Sequence, residues 1–348
     1  MATSLLFVGA FVPDRFGSLG VCQQLAMRLR AKGWQVCLTS SRDTRAARFA
    51  DVVSTIWLRR REYAVAHVDV FSGPAFIWAE AACWMLRRCG KPYVLTLHGG
   101  NLPRWAARWP GRARRLLRSA QVVTCPSDYL RREMRPFRDD LTLVPNAVDV
   151  ESYPFVNRAK PRPRLVWLRA FHHIYNPELA VRVVGLLREH RPDVQLTMFG
   201  PDKRDGSLTR VQAMVREMGL ESHVTLRGPV SKACVPLVLS AGDVFLNTTM
   251  ADNSPVSVLE AMACGLPVVS TNVGGMADLV ADQSNGLLVP PGDPASMASA
   301  VRRILEDGCL ASRLSRCGRE TAVRLDWEPV VARWQQVFET VGQHTALQ

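Results

Sequence analysis

Nine cysteines are scattered along the chain without one Cys-x-x-Cys pair, and no histidine spacing suits zinc. Odd in number and unpatterned, they read as small buried hydrophobes in a reducing compartment rather than as a disulfide framework or a metal site. Eighteen apolar residues nowhere run together, and the opening Met1 to Gly9 has neither the basic start nor the long apolar core of a signal peptide. The expectation is therefore a cytoplasmic protein, peripheral on the inner face of a membrane if it meets one at all. A dinucleotide fingerprint is missing too. Gly17-Ser-Leu-Gly20 opens the first helix without G-x-G-x-x-G, and the following strand ends Cys37-Leu-Thr-Ser-Ser41 with no acid to hold a ribose, so NAD binding is disfavoured. Internal repeats and low-complexity stretches are absent as well.

What is there begins with size. At 348 residues and 47% apolar content, the chain exceeds one ordinary core and can build two. A net charge of +13, mostly arginine, points to nucleic acid, anionic lipid or phosphorylated substrates without choosing among them. Since the chain shows no recognised nucleic-acid module, a nucleic-acid partner is not expected.

Short apolar runs alternate with helical stretches. Leu5–Val8, a helix with Val21, Leu25 and Leu29, then Gln35–Thr39 make a β-loop-α-β opening. Runs at Asp51–Trp57, His67–Phe71, Tyr93–Leu97, Val122–Cys125 and Leu141–Val144 continue it as strand candidates in a parallel sheet wound on both faces. The first domain ends near Val150, and the polar, proline-bearing Asn157–Arg164 reads as a linker. Alternation restarts with Leu165–Leu168, Val194–Phe199, Val224–Leu226, Val244–Leu246, Val268–Ser270 and Gly286–Val289. Asn176-Pro-Glu178 marks a helix start, and a last helix near Trp327–Val341 carries Val331, Trp334, Val337 and Phe338 on one side.

The most informative segment is Met250 to Gly275. Pro255 suits the first turn of a helix because its missing amide hydrogen would have no partner there. Val256, Leu259 and Ala263 recur at helical spacing, and Gly265 and Pro267 stop the helix before an apolar strand. Free amides at such a start, near Asn253 to Ser257, with Pro255 shaping the turn but lacking an N–H, attract an anion such as a diphosphate. Asp252 and Glu260 flank seven residues; carboxylates beside an anion must face neutral hydroxyls, which a ribose and a hexose supply. Taken alone, Asp252 would be a helix cap and Glu260 a solvated helix residue. Their position between two strands, with Val273-Gly-Gly275 following, favours the sugar-reading role.

This segment resembles the retaining glycosyltransferases of family four, within glycosyltransferase group 1. Their pattern is two acids seven residues apart, then Ala-Met-Ala-x-Gly-x-Pro-Val-Val and a Gly-Gly turn, matched here except that Asp252 stands where Glu is usual. The likeness covers nearly the whole chain. It implies an α/β GT-B architecture, two facing Rossmann-like domains with parallel sheets and an interdomain cleft. The first would span residues 1–155 on the acceptor side and the second 156–325 on the nucleotide-sugar side, with a helix at about 326–348 returning to the first.

The resemblance also assigns roles. His98, in Leu95-Thr-Leu-His-Gly-Gly100, lies at the end of a strand where α/β sheets bind ligands; it would sit beside the donor sugar, bonding a hydroxyl or organising the acceptor. Arg169 would clamp the diphosphate. The family's lysine five residues later is replaced by Ile174, so His172 or His173 is left to supply part of that charge. Gly17 would approach the donor phosphates from the other domain. His98, Arg169 and Asp252 are the catalytic candidates, and Gly17, Asn253, Ser254, Pro255, Val256, Ser257 and Glu260 the donor-binding ones. No metal and no cofactor is implied beyond a UDP- or GDP-linked sugar as co-substrate. Asn146 and Asp149 read as hinge-shaping residues.

The implied reaction moves a hexose to a hydroxyl of a glycan or lipid-linked glycan, as in surface polysaccharide or glycolipid synthesis. A nucleotide-sugar binder with weak or no transfer, or an epimerase or hydrolase, shares the fold; the last two need a placed acid/base pair that the sequence does not display. Arg104, Trp105, Arg108, Trp109, Arg112, Arg114, Arg115 and Arg118 form a basic, Trp-bearing segment. It reads either as a solvated helix face or as a contact for an anionic membrane surface.

Overall fold

The computed structural model describes residues 4–9, 20–39 and 45–346. The chain divides into two compact units, one running to Asn146 and taking in Glu328 onward, the other Ala147–Trp327.

In the first unit β1 (Ser4–Val8), α1 (Val21–Ala31), β2 (Gln35–Leu38), α2 (Arg45–Leu58), β3 (Val65–Val70), α3 (Pro74–Arg88), β4 (Tyr93–Leu97), α4 (Leu102–Arg108), α5 (Pro110–Leu117), β5 (Val122–Cys125), α6 (Asp128–Met134) and β6 (Thr142–Leu143) follow in order. The six strands form one parallel sheet in the order β2-β1-β3-β4-β5-β6. Leu6, Val68, Leu95 and Val123 are buried in its core. Short, mostly apolar strands are what a sheet covered on both faces requires.

One sequence expectation fails here. Residues 51–57 lie in α2 rather than in a strand. Val52 and Ile56, four apart, are both buried, and Phe49 meets Trp78 of α3 edge-on at 5.7 Å. A brief apolar run rich in branched residues satisfies either periodicity, and packing against α3 selects the helix.

The second unit contains β7 (Arg164–Leu168), α7 (Pro177–Arg188), β8 (Gln195–Phe199), α8 (Ser207–Glu217), β9 (Val224–Arg227), α9 (Val235–Ser240), β10 (Val244–Asn247), α10 (Val256–Ala263), β11 (Val268–Thr271), α11 (Met276–Leu279), β12 (Leu287–Val289), α12 (Pro294–Glu306) and α13 (Gly308–Arg324). Its sheet is again parallel, ordered β12-β11-β10-β7-β8-β9. Leu165 and Trp167 are buried in a cluster with residues of α7 and α12, whereas Val166, between them, joins residues of α10. Successive residues of β7 thus feed opposite cores, as period-two geometry dictates. The polar segment 157–164 is no loose linker: Arg158 is 5% exposed, donates to the carbonyls of Val156, Cys264 and Gly242 and lies 3.4 Å from Asp243. Arginine-rich composition suggested solvent, but these partners draw the side chain inward.

The last helix, α14 (Trp327–Ala346), lays its apolar stripe on the first unit. Phe338 packs against Phe7 at 6.0 Å between ring centroids and Trp334 meets His67 edge-on at 5.3 Å. His67 is fully buried, bonded to Thr96 at 2.7 Å and tilted against the Phe7 ring at 4.6 Å between centroids. Burial drives its pKa down to about 4, with the Asp69 charge opposing weakly.

Two outcomes follow. An imidazole neutral in the fold but protonated in the unfolded chain costs stability as pH falls from about 6.5 to about 4, the unfolded state binding the extra proton. In denaturant titrations His67→Phe should lose about 3 kcal/mol less than the parent between pH 7 and pH 4; an equal loss in both would remove His67 as the source. The second concerns Gly275, where an added Cβ would stand 2.2 Å from the Asn253 carbonyl oxygen, a backbone atom that cannot swing away. Gly275→Ala should destabilise the second unit by about 1–3 kcal/mol, read as a lowered denaturant midpoint at unchanged slope.

Candidate functional site

Open α/β sheets bind ligands beyond the carboxyl ends of their strands, at the point where strand order reverses. In the second sheet that point lies between β7 and β10, paired through Leu165↔Val244 and Val166↔Phe245. Arg169 leaves the end of β7, and Asn247 to Asp252 leave the end of β10. The loop after β10 is anchored from below by buried polar groups. Trp167 donates to Thr248 at 2.8 Å, Thr248 to the Tyr175 carbonyl at 2.7 Å, and Thr271 to the Thr249 carbonyl at 2.6 Å. Apolar strands thus end in hydroxyls that hold a loop in one place.

Arg169 is pinned from several sides. Its backbone amide donates to Phe199 at 3.1 Å, and Gly200 passes so close that a Cβ there would stand 1.7 Å from the Arg169 carbonyl oxygen. The guanidinium lies over the Tyr175 ring at 4.2 Å, pairs with the Asp252 carboxylate and reaches the Ser257 hydroxyl at 3.5 Å. Burial pulls its pKa below the usual arginine range, and its Nε is buried with no hydrogen-bond partner.

Asp252 is therefore not the cap of α10. Its other oxygen accepts the Asn253 amide at 2.8 Å, and no side chain caps the helix, whose N-cap is Pro255 itself. Pro255 stands one position before the first helical residue rather than on it. Val256 and Ser257 then open α10 with first-turn amides that have no carbonyl four residues back to bond. The expected stripe of Val256, Leu259 and Ala263 widens to nearly the whole helix, because α13 packs on the side away from the sheet. Asn253 is buried at 4% exposure, and Ser254 lies beside it in the same loop.

Glu260 is not a solvated helix residue either. It is 4% exposed, and its Oε1 accepts the Tyr153 hydroxyl at 2.8 Å and pairs with the Lys232 ammonium. Burial, then the Glu260 charge, pushes the Tyr153 pKa far up, so this hydroxyl remains a donor at any ordinary pH. Ser257 and Glu260, three apart, are neighbours on one helical face. The structure thus gathers Arg169, Asp252, Asn253, Ser254, Pro255, Val256, Ser257 and Glu260 around one loop and helix start. Tyr153 and Lys232 were not singled out from the sequence. Neither sits in a recognisable motif, and each is far from Glu260 along the chain.

His172 and His173 are committed elsewhere. Asp205 accepts the His173 amide at 2.8 Å and its Nδ1 at 3.0 Å. Burial acts to raise the Asp205 pKa, but the amides of His173 and Ser207 outweigh it and hold the carboxyl below its usual range. His172 uses Nδ1 to accept the Ile174 amide at 3.3 Å.

In the first unit the strand order reverses between β1 and β3. His98, just beyond β4, donates through Nε2 to the Asp69 carboxylate at 2.8 Å and stacks on Phe71 at 4.8 Å. The Cys22 thiol also donates to Asp69 at 2.8 Å. Burial and the Asp69 charge hold that thiol well above its usual pKa. Burial would raise Asp69 too, yet the charge and hydrogen bond of His98 keep it lowered. Cys22, Asp69 and His98 bring ligand atoms within 4.8 Å of one another, as do His172, His173 and Asp205. Linear spacing could not reveal either set. A cavity of about 340 Å³ opens beside Asp69 and Phe71, lined also by Val8, Arg48 and Trp78. Gly17 lies outside the described residues.

The basic segment 104–118 splits into α4 and α5 at Trp109. Trp105 turns inward against Phe76 at 3.9 Å between centroids, Trp109 is exposed, and Arg112 pairs with Glu80. Among the described residues no helix is long and apolar enough to cross a membrane.

Comparison with known proteins agrees with this geometry. The family model for group 1 glycosyl transferases matches residues 162–307, and that for glycosyltransferase family 4 matches residues 20–152. The chain is 28% identical over 306 residues to the phosphatidyl-myo-inositol mannosyltransferase of Mycobacterium leprae, covering 82% of this chain and 76% of that protein. It is 26% identical over 269 residues to the D-inositol 3-phosphate glycosyltransferase of Paenarthrobacter aurescens, covering 74% of this chain and 66% of that one, just under two thirds of its length. Among solved structures, sucrose-phosphate synthase from Thermosynechococcus elongatus superposes with a TM-score of 0.82 at 20% identity, covering 99% of this chain and all of that one. Anabaena HepE in complex with UDP-glucose gives 0.76 at 17% identity, covering 98% and 99%. With two parallel sheets of GT-B type and both halves matched, the chain belongs to the group 1, family 4 glycosyltransferases.

Proposed function

We propose that the protein transfers a hexose from a UDP- or GDP-linked sugar to a hydroxyl of a glycan or lipid-linked glycan, retaining the anomeric configuration and needing no metal. The carrying observation is the meeting of Arg169, the uncapped start of α10, Asp252 and Glu260 at the strand-order reversal of the second sheet. Amides and a guanidinium suit a diphosphate; flanking carboxylates suit the hydroxyls on either side of it.

As the bond from the anomeric carbon to the phosphate oxygen breaks, negative charge grows on the diphosphate. Arg169 and the α10 amides, fixed beforehand, stabilise that charge without reorganising. The acceptor oxygen bonds the same face of the anomeric carbon, and its proton passes to the departing phosphate. Cations supplied by the chain are what make a metal unnecessary in this reading. His98, held by Asp69 and stacked on Phe71 beside a cavity of about 340 Å³, is read as a hydroxyl ligand on the acceptor side. Relatives named for inositol 3-phosphate and phosphatidyl-myo-inositol are in keeping with a polyol or lipid-borne acceptor, and with a role in surface polysaccharide or glycolipid synthesis.

An anionic membrane surface is the proposed second partner, at the inner face. Trp84 and Ile77 of α3 are exposed, as is Trp109. The Arg88 guanidinium lies over the Trp84 ring at 5.2 Å, and Arg87, Arg112 and Arg115 line a groove with Trp84. Aromatic rings among arginines settle at headgroup level.

Binding, product and membrane measurements test these readings. Calorimetric titration with UDP, GDP and ADP sugars should find one that binds, and proton NMR of the product should show the donor's anomeric configuration, unaltered by EDTA. Arg169→Ala should lower kcat about 100- to 1,000-fold with a smaller change in donor affinity, whereas Glu260→Ala should abolish donor binding. Consumption of donor without a glycosylated product would defeat the transferase reading. Co-sedimentation with phosphatidylcholine vesicles should rise with added phosphatidylglycerol and fall with salt, at about 1 kcal/mol per arginine engaged. Binding indifferent to phosphatidylglycerol, or unchanged in Arg87→Gln/Arg88→Gln/Arg115→Gln, would remove the membrane partner.

A further inference from the structure

We infer that Lys232 is the second diphosphate-binding cation of the donor site, and that its bond to Glu260 parks it there until the nucleotide arrives. This inference rests on the donor site proposed above. Five of the 44 basic residues are lysines, and one of them bonds the buried Glu260 carboxylate from the turn between β9 and α9. Among the described residues, Arg169 and Lys232 are the two cations bonded to side chains of α10, through Ser257 and Glu260. Residues three apart on a helix have Cβ atoms about 5–6 Å apart, so both cations flank one helical face.

Charge balance makes Lys232 necessary. Arg169 is already matched by Asp252, and Glu260 adds a second carboxylate. One cation against two carboxylates would leave the loop negative and repel a diphosphate; with Lys232 the four charges cancel, and the helix start decides the sign. His172 and His173 cannot substitute, because both face Asp205. The ammonium is also equipped to move. Its side chain is 31% exposed against 6% for Glu260, and it has three donors, of which Glu260 takes one. The bonds from Tyr153 and Lys232 both fall on Oε1, leaving Oε2 to accept a ribose hydroxyl. Tyr153 holds the carboxylate in place when the ammonium turns to phosphate. The unpartnered buried Nε of Arg169 marks where a further acceptor is wanted.

The test is calorimetric titration of the full chain with UDP, GDP and ADP and with uridine, guanosine and adenosine, for the parent, Lys232→Gln and Lys232→Arg. Glutamine keeps a hydrogen bond to Glu260 without the charge. With the diphosphate that binds the parent, Lys232→Gln should weaken affinity about 10- to 100-fold, Lys232→Arg should recover most of it, and the matching nucleoside should change less than about threefold. A diphosphate affinity unchanged in Lys232→Gln would overturn the inference alone. Equal losses for diphosphate and nucleoside would make Lys232 a prop for Glu260 and overturn it too. A parent protein that binds none of the three diphosphates would end the donor-site reading itself, and this inference with it.

Discussion

Two carboxylates at one end of a parallel sheet, Glu260 buried and Asp252 largely so, can persist only if each meets a cation, because an unpaired charge away from water costs several kcal/mol. In the second unit Asp252 meets Arg169 and Glu260 meets Lys232, and much of the local architecture exists to keep those pairs adjacent. The strand-order reversal places the ends of β7 and β10 side by side. Gly200 lets the neighbouring strand end pass beneath Arg169, and Gly275 lets the turn after β11 close on Asn253. Polar ends of otherwise apolar strands, Asn247, Thr248, Thr249, Ser270 and Thr271, are all buried and tie the loop down. The result is a charge-balanced cluster at a helix start that no side chain caps. In the donor-site reading proposed above, its internal ion pairs are exchanged for contacts with the diphosphate and hydroxyls of a nucleotide sugar.

The first unit solves a different problem with the same sheet. Its reversal point carries an aspartate, Asp69, shared between His98 and Cys22, and beneath it a histidine, His67, shielded by the aromatic face of α14. One imidazole stacks on Phe71, which lines a cavity, and the other is fully buried beside Phe7, Trp334 and Phe338. Their chemistry diverges accordingly: His67 lies within β3, whereas His98 lies just beyond the end of β4. Burial keeps His67 uncharged and structural, whereas His98 is partly exposed and held by Asp69.

Legibility followed the range of the interactions. Strands such as Tyr93–Leu97 and Val244–Asn247 could be read from short apolar runs, since a strand buried on both faces needs no more than that. The acid spacing from Asp252 to Glu260 was equally plain, being local to one loop and one helix. Residues 51–57 misled because branched apolar residues fit strand and helix alike, and only contact with α3 distinguishes them. Residues 157–164 misled because arginine and proline are typical of solvated links, whereas Arg158 finds inward-facing carbonyls. The partners of Glu260 were illegible: Tyr153 and Lys232 come from segments 107 and 28 residues away.

By itself, then, the amino-acid order determined the class of protein, the alternation of elements, the family and the pair of acids, all properties carried by neighbours within a turn or a strand. Tertiary structure alone decided which charge faces which. It matched Arg169 to Asp252 and Lys232 to Glu260, drew His172 and His173 toward Asp205, and joined Cys22, Asp69 and His98. Those choices depend on how far parallel strands are staggered and where their connections return. Such distances across a sheet have no counterpart in the linear spacing of residues.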